Sequence, residues 1–110
     1  MKIAIIGTRS LRVSNIENFL PPNCSEIVSG GAKGVDSCAA EYAIKNKIKL
    51  VEFLPEYEKY GRAAPIIRNR KIADYADIII AFWNGKSNGT KTIIEYCKKT
   101  NKSCKVIIIE

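Results

Sequence analysis

Three short stretches concentrate the groups able to hold an anion. In Ser29-Gly30-Gly31-Ala32-Lys33-Gly34, three glycines and a lysine stand between an apolar run and an amphipathic period. Glycines there let the backbone approach a ligand, while a helix starting just beyond directs free N–H groups at it. Phosphate suits that geometry. One or two glycines would suffice for a tight turn, so the third, together with Lys33, favours binding. Gly85-Lys86-Ser87-Asn88-Gly89-Thr90 opens a second helix, whose Thr90 hydroxyl either caps the helix or meets a phosphate oxygen. Gly7-Thr8-Arg9-Ser10 ends the first apolar run and is the third polar turn.

Two common phosphate motifs are excluded by spacing. The glycines around residue 30 do not form GxGxxG, and a P-loop ending at Lys86-Ser87 would need glycine where Ile80 stands. Arg68-Asn69-Arg70 falls on a helix, where residues two apart point about 200° from each other. One of the two arginines is therefore expected to face a ligand and fork onto a phosphate or carboxylate. Trp83, just past an apolar run, either stacks on a base or sugar or covers the core rim.

The chain has no histidine, which removes Ser-His and Cys-His catalytic pairs and the usual zinc and haem ligand sets. An acid or base here must be a carboxylate, Lys, Tyr or Cys. No catalytic group is identified; the candidates are Arg68 to steady anionic charge, with Asp36 or Glu95 as acid or base. Cys24, Cys38, Cys97 and Cys104 form no CxxC pair, so free, mostly buried thiols and no metal site are expected.

The elements that must position these groups follow from periodicity. With 110 residues, 46% of them hydrophobic, the chain suits one domain over 1–110. Apolar runs at Ile3–Ile6, Glu26–Val28, Leu50–Phe53, Ile78–Phe82 and Val106–Ile109 read as strands. Between them, Val35, Cys38, Ala39, Tyr42 and Ala43 share one helical face. Ser14 is expected to cap a short helix burying Ile16, Phe19 and Leu20, stopped by Pro21-Pro22. Residues 54–62 read as loop. A helix starting near Pro65 is expected to turn Ile66, Ile67, Ile72 and Ala76 inward, and one opening at Thr90 to turn in Ile93, Ile94 and Cys97. Strands joined by helical crossovers predict an α/β fold with a parallel sheet covered on both faces, its ligand beyond the strands' carboxyl ends.

The formal charge is +7, and residues 1–55, with seven basic and five acidic side chains, hold little of it. Lys45, Lys47, Lys49, Lys98, Lys99, Lys102 and Lys105 lie near expected helix ends, where cations complement the dipole. No apolar run approaches the about 20 residues that span a bilayer. A cytoplasmic location without membrane contact is expected.

In order along almost the whole chain, Ile5–Ser10, Val28–Asp36, Tyr60–Ala64, Ile67–Arg70, Ala76-Asp77 and Ala81–Thr90 resemble the SLOG superfamily, in its small single-domain YspA-like branch. That superfamily joins the DNA-processing protein DprA (Smf), the LOG nucleotide phosphoribohydrolases and stand-alone domains predicted to bind nucleotide-derived ligands. The resemblance implies a Rossmann-like three-layer sandwich with strand order 3-2-1-4-5, and implies that the Gly30–Gly34 loop and the Gly89-Thr90 helix start hold the ligand's phosphate. Arg68-Asn69-Arg70 is similar to a DprA motif, and Arg68 also matches the catalytic arginine of LOG enzymes. Those enzymes carry a glutamate where this chain has Ile93, and Glu95 lies about 200° around the helix from the threonine-plus-three position.

The expected function is therefore binding of a phosphate-bearing, nucleotide-like ligand, as a sensor or nucleotide-processing module. A LOG-type hydrolase and a DprA-like single-stranded DNA binder are the alternatives. The expected ligand contacts are Gly7, Thr8, Arg9, Ser10, Ser29, Gly30, Gly31, Ala32, Lys33, Gly34, Asp36, Arg68, Asn69, Trp83, Gly85, Lys86, Ser87, Gly89 and Thr90. Beyond the nucleotide-derived ligand no cofactor is called for. An apolar last strand at the sheet edge, as the family order implies, predicts a homodimer.

Overall fold

Successive residues of a strand point to opposite faces of its sheet, so a strand apolar throughout must be covered twice. The computed structural model, which describes residues 1–109, meets that demand with helices on both sides. In chain order the elements are β1 (Lys2–Gly7), a 3-10 turn (Ile16–Asn18), β2 (Glu26–Ser29), α1 (Val35–Lys45), β3 (Lys49–Glu52), α2 (Tyr57–Tyr60), a second 3-10 turn (Gly61–Ala63), α3 (Ala64–Tyr75), β4 (Ile78–Trp83), α4 (Asn88–Lys99) and β5 (Cys104–Ile108). All pairings are parallel, in the order β3-β2-β1-β4-β5. This is the α/β, Rossmann-like arrangement expected from the sequence and its resemblance.

Two cores result. Ile3 and Ile5 of β1, with Ile27, Ile80 and Phe82, pack against Val35, Cys38, Ala39 and Ala43 of α1. The alternate residues Ala4, Ile6, Val28, Ile79 and Ala81 pack against Ile72 and Ala73 of α3 and Ile93, Ile94 and Cys97 of α4. The chain runs outward from β1 to β3, then crosses back to β4, which makes the carboxyl ends of β1 and β4 the point where the winding reverses. Gly7 pairs with Phe82 at that point, and a Cβ on Gly7 would overlap the Phe82 carbonyl.

Several local expectations are corrected. Ser14 caps nothing: the segment forms a single 3-10 turn led by Asn15, too short to repay helix nucleation, with Ile16 buried and Phe19 edge-on to Phe82 at 5.2 Å between ring centroids. Residues 54–62 contain α2 and the start of the second 3-10 turn rather than plain loop. On α3 the inward stripe is Ala64, Arg68, Ile72 and Ala73, and Ile66 is 41% exposed. Ile72 and Ala76 are buried as expected, and Arg68, bonded to carbonyls within the protein, takes the inward place beside them that hydrophobicity gave to Ile66 and Ile67. Helix α4 starts at Asn88, two residues before Thr90.

Among the lysines, Lys45, Lys98 and Lys99 lie in last helical turns, and Lys102 Nζ donates to the Ala76 carbonyl at the end of α3 at 2.7 Å. All four cysteines are free. Strand β5 lies at the sheet edge with Val106 and Ile108 exposed. Among the described residues, no helix is long and apolar enough to cross a membrane.

Gly34 precedes α1 with φ 74°, and a Cβ there would overlap the backbone carbonyl of Arg9. Gly34→Ala is expected to lose at least about 1–3 kcal/mol of stability from the backbone conformation alone, before any displacement of the 8–11 loop is counted. Urea unfolding of the variant checks this; an unchanged midpoint would contradict the packing described.

Candidate functional site

The turn after β1 is locked to the end of β4. Thr8 is buried; its N–H donates to the Phe82 carbonyl at 3.0 Å, and its Oγ1 accepts from the Asn84 N–H at 3.3 Å. Arg9 and Ser10 are exposed beyond it. These bonds bring the first and third polar turns together.

The turn after β2 is organised by buried polar side chains. Ser29 Oγ accepts from the Gly31 N–H at 3.3 Å and donates to the Asp36 carbonyl at 3.4 Å. Asp36, in the first turn of α1, is 5% exposed; its Oδ2 accepts from the Ala32 N–H at 3.2 Å, and its Oδ1 has no hydrogen-bond partner among the described residues. Burial pushes the Asp36 carboxyl above its usual range, against the opposing pull of the Ala32 N–H and the Arg68 charge.

Arg68 comes from α3 and is 8% exposed. Its Nη1 donates to the Gly30 carbonyl and, at 3.3 Å, to the Phe53 carbonyl, while Nε donates to Asn69 Oδ1 at 2.8 Å. Burial draws the guanidinium below its usual range, and Asp36 opposes that shift. Arg68 is thus the inward-facing arginine of the pair. Arg70 instead lies over the Tyr96 ring, 5.6 Å from its centroid. Most of the Arg68 fork is spent on the protein's own carbonyls, leaving Nη2 the one guanidinium nitrogen unbonded among the described residues.

In the turn after β4, Asn84 Oδ1 accepts from the Lys86 and Ser87 N–H groups, each at 2.9 Å, and Ser87 Oγ donates to Thr90 Oγ1 at 3.2 Å. No side chain caps α4, so the N–H groups of Asn88, Gly89 and Thr90 keep no partner from the helix or its cap, and the Lys91 N–H is the first to donate, to the Ser87 carbonyl at 3.2 Å.

These three turns enclose a cleft of about 430 Å³ at the reversal point of the sheet, within the usual range for small-molecule sites. Of the expected contacts, Gly7, Thr8, Arg9, Ser10, Ala32, Asp36, Arg68, Asn69, Ser87, Gly89 and Thr90 line it. Ser29, Gly30 and Gly34 are buried in its supporting walls. Gly31, Lys33, Gly85 and Lys86 are exposed outside its lining. Trp83 is also outside: it packs on the α3–α4 side of the core and its indole N–H donates to the Ser87 carbonyl at 3.0 Å. Glu95 lines a different groove between α3 and α4. Ile6, Pro65 and Ile93 line the cleft although sequence reasoning marked them as core or helix-start residues, and no chemical signal distinguishes such apolar wall positions. A larger hollow of about 610 Å³ beside α1 carries Arg12, Glu17, Glu41 and Lys45, with Arg12 paired to Glu41 at 3.4 Å. Among the described residues no cluster of metal-ligating side chains occurs.

The family model for DNA recombination-mediator protein A matches residues 1–61 of the 110. The chain belongs to that family. The matched span contains two of the three polar turns described above, Gly7–Ser10 and Ser29–Asp36, and ends before Arg68 and the start of α4. No curated protein and no solved structure matches the chain.

Two outcomes follow from the buried pair. Arg68→Met strips the Gly30 and Phe53 carbonyls of a charged donor and is expected to cost about 2–3 kcal/mol in urea unfolding. Arg68→Lys should recover less than half of it, since an ammonium lacks the planar fork. Because Asp36 holds its proton more tightly folded than unfolded, its contribution to stability is complete below the ordinary value of 3.8 and falls as pH rises through the raised one. The stability of Asp36→Asn relative to the native chain should therefore increase with pH across that window, and a difference independent of pH would contradict the burial of the charge.

Proposed function

We propose that this chain binds a phosphate-bearing, nucleotide-like ligand in the cleft between the β1 and β4 ends, as a small single-domain member of the YspA-like branch serving as a sensor or nucleotide-processing module. The observation that carries the reading is the uncapped first turn of α4, with Ser87, Gly89 and Thr90 opening into the same cleft as Arg9 and Arg68. Free N–H groups at a helix start, helped by the helix dipole, bind anions without further apparatus.

Binding is favoured over LOG-type hydrolysis. Ile93, at the position of the LOG glutamate, presents an aliphatic side chain to the cleft, and Glu95 lies outside it. Single-stranded nucleic acid is the second reading, supported by the family match and by the charge of +7. A free nucleotide suits the cleft better, because among the described residues no aromatic ring lines it to stack successive bases.

Calorimetric titration with AMP, NAD, ADP-ribose and a short single-stranded oligonucleotide separates these readings. A mononucleotide or dinucleotide is expected to bind; silence across the panel would remove the proposal, and binding confined to the oligonucleotide would transfer it to nucleic acid. A Cβ at Gly89 meets nothing within 4 Å, so Gly89→Ala should keep or raise stability by about 0.5–1 kcal/mol. The same methyl group should weaken nucleotide binding at least about tenfold by holding phosphate off the helix start.

A further inference from the structure

The four cysteines divide by the core they occupy. Cys24 and Cys38 lie on the α1 side of the sheet, and each has a backbone partner: Cys24 Sγ donates to the Glu26 carbonyl at 3.6 Å, and Cys38 Sγ accepts from the Val13 N–H at 3.3 Å. Cys97 and Cys104 lie on the opposite side, in the core beneath α3 and α4. Cys97 belongs to the inward face of α4 and is fully buried, whereas Cys104 opens β5, pairs with Ile79 and is half-buried at the sheet edge. The turn between them is already drawn tight: the Lys102 N–H donates to the Cys97 carbonyl at 2.9 Å, and the Ile79 N–H to the Ser103 carbonyl at 3.0 Å. Helix and strand thus deliver both side chains to one face of the sheet, where the two thiols hydrogen-bond to each other. That shared bond eases loss of the pair's first proton and opposes loss of the second, so Cys97 lies below the ordinary thiol range and Cys104 above it.

We propose that Cys97 and Cys104 form a reversible redox site, which closes to an intramolecular disulfide when the chain meets a peroxide. The site lies apart from the anion cleft and does not depend on the function given to it. Peroxide reaches the pair from the solvent side, at Cys104. With the shared proton on Cys97, the Cys104 thiolate attacks one peroxide oxygen and the O–O bond breaks. Cys104 becomes a sulfenic acid, and the hydroxide released recovers the proton first lost by the pair. The Cys97 sulfur then attacks the Cys104 sulfur, the S–O bond breaks, and the departing hydroxide leaves with the Cys97 proton as water. Two thiols and one peroxide thus give one disulfide and two waters, the sulfurs being oxidised and the peroxide reduced. Only Cys104 has to meet the oxidant, and the buried Cys97 has to meet only Cys104.

Hydrogen peroxide treatment of the full folded chain, followed by alkylation of the remaining thiols in denaturant and peptide mass mapping without reductant, tests the site. The expected product is a single chain lighter by two hydrogens, with Cys97 linked to Cys104 and with Cys24 and Cys38 alkylated. After dithiothreitol all four should alkylate. The link should also raise the urea midpoint of the oxidised chain, because it constrains the unfolded state while the folded turn is already closed. Cys104→Ser should abolish both the product and the rise in midpoint, and Cys24→Ser should keep both. If Cys104→Ser fails to fold, the mapping on the native chain still decides. A linkage through Cys24 or Cys38, a disulfide-linked dimer, conversion of Cys104 to a sulfinic acid with Cys97 unlinked, or four unreacted thiols would each overturn the proposal. A link that lowers the midpoint would overturn it as well, since the fold would then have to be strained to close the bond.

Discussion

A guanidinium buried at 8% exposure must be compensated, because an unpaired charge in the interior costs several kcal/mol and is not tolerated. Arg68 solves this with the carbonyls of Gly30 and Phe53 and the opposing charge of Asp36. Those two carbonyls lie just past β2 and β3, so one side chain of α3 holds the turns after both strands. Gly30 is glycine for the same reason: a Cβ there would lie 2.7 Å from Arg68 Nη1 and 2.9 Å from Asp36 Oδ2. Its missing side chain makes room for the Arg68 and Asp36 side chains rather than for a ligand.

This clamp determines what is left for binding. Ser29, Thr8 and Asn84 spend their polar atoms on neighbouring backbone, and the Trp83 indole N–H is tied to Ser87. The turns are therefore rigid frames more than sets of free side chains. The groups that remain unspent are the first-turn N–H groups of α4, Arg68 Nη2 and Asp36 Oδ1. Of these, Asp36 Oδ1 is enclosed by the protein.

The family match covers the half of the chain that builds β1 to β3 and the first two turns. Arg68, Ser87 and Thr90 come from the other half, yet they meet the first half across one cleft. The two segments are joined at Gly7 and Thr8, where β1 pairs with β4 and the Thr8 N–H reaches the Phe82 carbonyl. The cleft is thus completed by long-range strand pairing rather than by either segment alone.

Local pattern in the residues was enough to read the five strands, the main helices and the polar turns between them, since periods of two and 3.6 residues report burial within a few positions of the chain. The parallel sheet followed from strands joined by helical crossovers, and its double covering from the uniformly apolar run of β4. Strand order came from family resemblance, because periodicity says nothing about which distant strand is a neighbour. Tertiary structure alone decided the division of labour in the site. It showed that Arg68 faces inward to grip Gly30, 38 residues away, that Trp83 turns from the cleft, that Lys33 and Lys86 stay outside it, and that Asp36 keeps one oxygen unsatisfied. Residue type states what a side chain is able to bond. Which bonds it makes depends on partners that only packing brings within reach.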